Sequence, residues 1–148
     1  MIYLVVFLAW TLMLYALHRI THRTRILNKF HSQHHSFINV SIAKKAPQSW
    51  KYNNLFLYND NIPSTIDLWI TEVIPTIIFC AITTHWWLFA FYYIWAAFIQ
   101  EQIEHNPKVD IPILLSGKKH LFHHNNYRCN YGLFFPIWDI LFNTYKGK

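Results

Sequence analysis

Only three glycines and six prolines occur among the 148 residues, which excludes a collagen-like repeat and a disordered linker protein. Charge is scarce too: Asp, Glu, Lys and Arg make up 14%, against about 25% in an average soluble domain. The two cysteines, Cys80 in an apolar stretch and Cys129 in the polar tail, are too few and too far apart for a disulfide framework or a zinc ribbon. Acidic residues are outnumbered seven to thirteen by Lys and Arg, for a net charge of +6. No internal repeat, low-complexity tract, haem-binding or flavin-binding motif is visible. What fills the chain is apolar, 53% hydrophobic and 19% aromatic, and that composition makes lipid part of the solvent.

Residues 1–17 carry no charge, and residues 68–99 carry only Glu72, with His85 between two apolar runs. A 17-residue helix spans ~26 Å, short of a ~30 Å hydrocarbon core, so the first helix is expected to continue into His18. The second stretch is too long for one crossing and breaks at Thr83-Thr84-His85, which predicts a hairpin over 66–83 and 86–104. Arg19, Arg23, Arg25, Lys29, Lys44, Lys45 and Lys51 lie between the two apolar stretches; Lys108, Lys118, Lys119, Arg128, Lys146 and Lys148 follow the second. One crossing plus a hairpin returns the chain to the same face, which the positive-inside rule makes cytosolic. Residues 1–17 lack the basic n-region and small-residue cleavage site of a signal peptide. Because the basic residues are juxtamembrane, nucleic acid is excluded as a partner. The expected fold is an all-α integral membrane protein: a transmembrane helix plus a helical hairpin, with a cytosolic histidine-rich helical cap. It forms a single domain over 1–148, with 1–17 and 66–104 in the membrane and 18–65 and 105–148 in the metal-binding cap.

Ten histidines stand out, and nine fall on the cytosolic face: His18 and His22; His31, His34 and His35; His105; His120, His123 and His124. On helices, H-x-x-x-H and H-x-x-H-H spacings put the imidazoles of each set on one stripe, converging toward one point. Convergent neutral imidazoles make a metal site. Headgroup binding or pH sensing accounts less well for three sets at ligand spacing. Nine ligands exceed what one metal takes and suit two with open positions. Imidazole alone does not choose between zinc, copper and iron, but a centre at the mouth of apolar helices is placed for lipid C–H chemistry, which iron performs and zinc does not. His85, at the hairpin turn and ~30 Å away across the membrane, is read as an interfacial turn residue.

The segment HRITHRTRILNKFHSQHH (His18–His35) resembles the first two histidine boxes of the fatty acid hydroxylase and sterol desaturase superfamily. The tail, IEHNPKVDIP followed by HLFHHNNYRCNYGLFFPIWDILFNTY, is similar to its third and fourth histidine regions, with Asn130-Tyr131-Gly132 and Trp138-Asp139 at family spacing. The likeness by motif covers about residues 14–36 and 99–146. It implies a membrane oxidase of the endoplasmic reticulum, akin to sterol C4-methyl oxidases, sterol C5-desaturases and cholesterol hydroxylases. Such an enzyme uses O2 and two iron ions to hydroxylate or desaturate a sterol or fatty acyl lipid, and takes electrons from cytochrome b5 or a flavin reductase. The nine cytosolic-face histidines carry over as the candidate iron ligands. Two departures stand out. Where family members have a histidine before a proline, this chain reads Asn59-Asp60-Asn61-Ile62-Pro63, and an Asn there is a candidate holder of a metal-bound water. Only one crossing precedes the first box, as in a minimal or truncated version. The alternative reading is a degenerate, non-catalytic metal-binding membrane scaffold of the same family; a basic membrane-anchored adaptor without metal is a third.

Outside the histidines, Glu101, Glu104 and Asp110 flank His105 and are candidates to orient it. Asp139 is a candidate helix cap, arginine partner or ligand-orienting group. The hairpin aromatics, including Trp69, Phe79, Trp86, Trp87 and Phe98, are expected to face lipid or to line an apolar substrate slot. Lys118 and Lys119 are candidates for docking an acidic electron donor.

Overall fold

The computed structural model describes residues 1–43, 56–57 and 61–147, with the backbone alone at Glu101. No strand forms among the described residues. The first helix, α1 (Ile2–Thr21), runs unbroken past residue 17. Val6, Trp10, Leu14 and His18 recur every four residues on its buried side, so the face that packs the core becomes, one turn before the end, a face that presents an imidazole. Trp10 is fully buried among the rings of Phe7, Phe91, Tyr92 and Phe134. Its indole N–H donates to Thr76 Oγ1 at 3.0 Å, which satisfies the one polar atom it buries.

A three-residue turn reverses the chain after α1, with the Arg23 and Thr24 amides both donating to the Ile20 carbonyl at 2.9 Å. In α2 (Arg25–Ala43) the buried positions are His31, His34, His35, Ile38 and Ser41, again at helical spacing. The third helix, α3 (Ile62–Thr83), starts where Asn61 accepts the Ser64 amide at 2.7 Å and Pro63 occupies the first turn. That cap extends the hairpin arm four residues upstream of the expected 66. It also engages the Asn61 side-chain oxygen; Asn59 and Asp60 lie outside the described residues. Pro75 has no N–H for the Thr71 carbonyl, and α3 widens into a π turn over Trp69–Val73 just before it. The helix stops at Thr84, whose φ of 59° is left-handed.

The returning arm, α4 (87–103), contains a second π turn over Trp95–Gln100. Two short helices follow, α5 (Lys118–Asn125) and α6 (Ile137–Leu141). α1 and α3 are each long and apolar enough to cross a bilayer; the apolar part of α4, Trp87–Gln100, is shorter. On α3 the isoleucines Ile70, Ile74, Ile78 and Ile82 form an outward stripe, increasingly exposed from 39% to 77% toward the hairpin tip. His85 sits at that tip, its ring 6.2 Å from that of Tyr3 at the beginning of α1, the end opposite His18. Both cysteines are buried and free.

Candidate metal centre

All nine cytosolic-face histidines of the sequence reading come together, in two adjoining clusters. His18, His22, His31, His35 and His123 form one; His34, His105, His120 and His124 form the other, and within each the nitrogens lie within 4.8 Å of one another. The H-x-x-H-H sets do not each converge on a single point. At 100° per residue, positions i and i+4 differ by 40° whereas i+3 and i+4 differ by 100°, so only the i, i+4 pairs share a cluster. His18/His22, His31/His35 and His120/His124 are those pairs. The remaining member of each set crosses over: His34 leaves α2 for the second cluster, and His123 leaves α5 for the first. α2 and α5 are thus laced together, with the His35 and His124 rings stacked at 4.1 Å.

The geometry suits cations. In the first cluster His31 Nε2 lies 3.1 Å from His18 Nε2 and 2.9 Å from the Nε2 atoms of His22 and His35, and His22 Nε2 is 3.1 Å from His123 Nε2. In the second, the Nε2 atoms of His105, His120 and His124 form a triangle with edges of 3.0–3.2 Å. Metal–nitrogen bonds of ~2.1 Å at right angles span ~3.0 Å between nitrogens.

The outward nitrogens decide the protonation. His18 Nδ1 lies 2.8 Å from the Tyr131 carbonyl, His123 Nδ1 2.6 Å from the Cys129 carbonyl, His35 Nδ1 3.3 Å from the His124 carbonyl and His31 Nδ1 2.8 Å from Asp67 Oδ2. Carbonyls only accept, so the Nδ1 atoms of His18, His35 and His123 carry the protons, as does that of His31 when Asp67 is ionised, and their Nε2 lone pairs then face one another with no proton between them. A cation removes that repulsion. The residues present therefore fit metal ions, and the outer acceptors hold four rings of the first cluster in the coordinating orientation.

Burial depresses the pKa of these imidazoles, and neighbouring imidazoles add to it: His22 and His34 fall from 6.5 to about 3, and His31, His35, His105, His120, His123 and His124 move in the same direction. All are neutral at pH 7, the state that binds metal. For the metal-free protein the sign follows from proton uptake. Below 6.5 the unfolded histidines take up protons that the folded ones refuse, so stability is retained above that pH and lost as pH falls from 6.5 toward 3. Chelator-treated protein is expected to show a thermal midpoint that falls from pH 6.5 to 5 as the unfolded histidines take up protons.

The model of the fatty acid hydroxylase family matches residues 3–144, nearly the whole chain. The chain belongs to the fatty acid hydroxylase family. Its two apolar helices and its family mark a membrane protein with a lipid substrate, and the family is metal-dependent in keeping with the histidine clusters. No solved structure matches this chain.

In this fatty acid hydroxylase-family fold the residues that support the histidines are mostly ones that sequence reasoning missed. Asp67 was not singled out, yet it is buried and hydrogen-bonded to His31. A carboxylate in an apolar helix was the available signal. Together with Glu72 and Glu104 it lines a small cavity of about 20 Å3 that also reaches His18, His34 and His120. Asp67 and Glu72 are five residues apart, and the π turn between them, with its i→i+5 bonding, brings both to this cavity. Glu104 lies 3.7 Å from both His105 Nδ1 and His120 Nε2, beyond hydrogen-bond length, and accepts from Gln100 Nε2 at 2.8 Å. Asp110 does not orient His105: its carboxylate is half-exposed and pairs with Lys119 at 3.1 Å and Lys118 at 3.7 Å. Lys119 is accordingly buried in an internal ion pair and is no docking residue. The Glu101 side chain lies outside the described set. None of the hairpin aromatics lines the cavity, whose apolar walls are Leu68 and Leu133; Trp86 and Phe98 point outward and Tyr92 is in the core.

Asp67→Asn is expected to weaken metal binding by the first cluster by about 10–100-fold, the usual cost of losing an orienting carboxylate. Competition against a graded series of chelators measures it.

Proposed function

We propose that this chain is a membrane-bound non-haem di-iron oxidase that hydroxylates or desaturates a C–H bond of a sterol or fatty acyl lipid, using O2. The observation that carries the reading is the pair of clusters, five and four imidazoles, whose Nε2 atoms converge at 2.9–3.2 Å while outer acceptors engage four Nδ1 atoms of the first. His18, His22, His31, His35 and His123 would hold one iron, and His34, His105, His120 and His124 the other. When bound, the irons supply the redox chemistry that activates O2 against an unactivated carbon.

The chain's own residues supply position and dryness. Eight of the nine imidazoles are buried and His22 is half-buried, so bulk water is kept from the reacting volume. Asp67 fixes the His31 ring, the Tyr131 carbonyl fixes His18, and Glu104 sits between His105 and His120. The Tyr92 hydroxyl donates to Glu72 Oε2 at 3.1 Å and so holds that carboxylate at the cavity wall. The cavity lies between the two clusters, beside α3, and has room for one group of about the size of water or O2.

Electrons come from a separate protein, cytochrome b5 or a flavin reductase, since the sequence carries no haem or flavin motif. Positive-inside bias puts the histidine cap in the cytosol, with the endoplasmic reticulum as the membrane. The test is an iron-loaded preparation supplied with a reductase, O2 and extracted lipids, read by mass spectrometry. Gain of one oxygen atom or loss of two hydrogens in a sterol or acyl lipid, dependent on O2 and abolished by His34→Ala, supports the reading. Iron-loaded protein that consumes no O2 with any lipid class counts against it and favours the scaffold.

A further inference from the structure

On the outer side of the first cluster lies a cleft of about 570 Å3, walled by Arg19, Arg23 and Arg128 with Tyr127, Tyr131 and His22. A second groove, about 370 Å3, runs from it along α1 and is apolar: Leu12, Ala16 and Ile20, spaced four apart on one face, with Phe142 opposite. Arg19 and Arg23 line both, so the two are continuous. The combined site is cationic at the end of the helix and apolar along its length, the shape of an amphiphile with an anionic head.

The cleft's arginines form no ion pair among the described residues, and the buried Asp139 carboxylate interacts with Arg19 only from beyond that distance. No carboxylate lines either part. Elsewhere the protein does pair its cations, as Lys118 and Lys119 do with Asp110. Arg19 is also set in place: it donates to the Tyr15 hydroxyl at 3.1 Å, its guanidinium lies 5.9 Å over the Tyr131 ring, and its Nε is buried with no hydrogen-bond partner. A buried donor with no acceptor is a cost that an incoming oxygen atom removes. Planar guanidinium groups match the oxygens of a phosphate in pairs.

We propose that this cleft and groove bind one anionic phospholipid of the surrounding bilayer, its phosphate held by Arg19, Arg23 and Arg128 and an acyl chain lying along Leu12, Ala16 and Ile20 of α1. The continuity with an apolar groove selects a lipid phosphate over a free one. The site lies apart from the cavity between the clusters, so its occupant is a bound lipid and not the substrate. The inference rests on the membrane placement of α1 and not on the oxidase reading.

The experiment uses the full chain in dodecyl maltoside, with phosphatidylglycerol, phosphatidylcholine or glycerol phosphate added and bound lipid read by native mass spectrometry. Phosphatidylglycerol is expected to bind as one molecule per chain and tighter than phosphatidylcholine. R128Q, on an exposed loop residue, is expected to weaken it about fivefold, and R19Q/R23Q/R128Q by on the order of a hundredfold, to the level of phosphatidylcholine. Unchanged helicity and metal content in R128Q show that the fold persists. Equal binding of the two lipids, undiminished binding by the triple variant, or displacement by equimolar glycerol phosphate overturns the proposal. Carbonate extraction of membranes tests the placement of α1 separately, and iron content tests the oxidase.

Discussion

Protein carrying His31→Ala is expected to keep one of two metals and to lose oxidation of its lipid. His31 is the hub of the first cluster, since its Nε2 lies within 3.1 Å of those of His18, His22 and His35. Its removal also strands the buried Asp67 carboxylate, which then has no imidazole to orient. Loss of an outer carboxylate costs about 10–100-fold in metal affinity, and loss of the hub exceeds that range. The second cluster draws on His34, His105, His120 and His124 and shares none of these nitrogens, so it is expected to stay loaded. His105→Ala should give the mirror result. Metal analysis and turnover measured on the same preparations check both. Loss of both metals in each variant would show one indivisible site.

The second large effect is expected far from the nitrogens. Asp139 is fully buried and its carboxylate accepts three hydrogen bonds, from the Tyr131 amide at 2.8 Å, the Gly132 amide at 2.7 Å and the Thr144 hydroxyl at 2.6 Å. It is neither a cap nor an arginine's ion-pair partner; it ties the Asn130-Tyr131-Gly132 turn to α6. That turn is demanding: Asn130 has a φ of 54°, and a Cβ at Gly132 would come within 2.7 Å of the Phe135 carbonyl oxygen and 3.0 Å of the Asp139 carboxylate itself. Asp139→Ala leaves the Tyr131 and Gly132 amides without an acceptor in the interior, while the Thr144 hydroxyl keeps Tyr15 as a partner, at a cost on the order of 3 kcal/mol. Because the Tyr131 carbonyl is the acceptor for His18 Nδ1, the same change is expected to loosen the first cluster. A lowered thermal midpoint with metal lost first from the five-histidine cluster is the expected result, and Asp139→Glu should not rescue it, since the carboxylate sits in a closed turn.

The histidines were legible in the sequence because their chemistry is written in spacing: i, i+4 pairs on α1, α2 and α5 put two imidazoles on one face whatever the tertiary fold. The apolar helices were legible because length and hydropathy alone delimit them, although the caps at His22 and Asn61 moved their ends. How the nine nitrogens divide between two clusters was not legible. The crossing over of His34 and His123 depends on how α2 lies against α5, which no local pattern encodes. Asp67 and Glu72 were missed for a related reason. Their shared face comes from the π turn that Pro75 accompanies, and an ideal 3.6-residue period would have set them 140° apart. Asp110 misled in the opposite direction, since nearness in sequence to His105 carried no nearness in space.

The most direct test of the central claim is the metal content of the wild-type chain, expressed with iron in excess and purified without oxygen in detergent. Two irons per chain, falling to one in His31→Ala and to one in His105→Ala, is the predicted result. One metal or none in the wild-type chain, or zinc in both clusters despite the iron supplied, would contradict it.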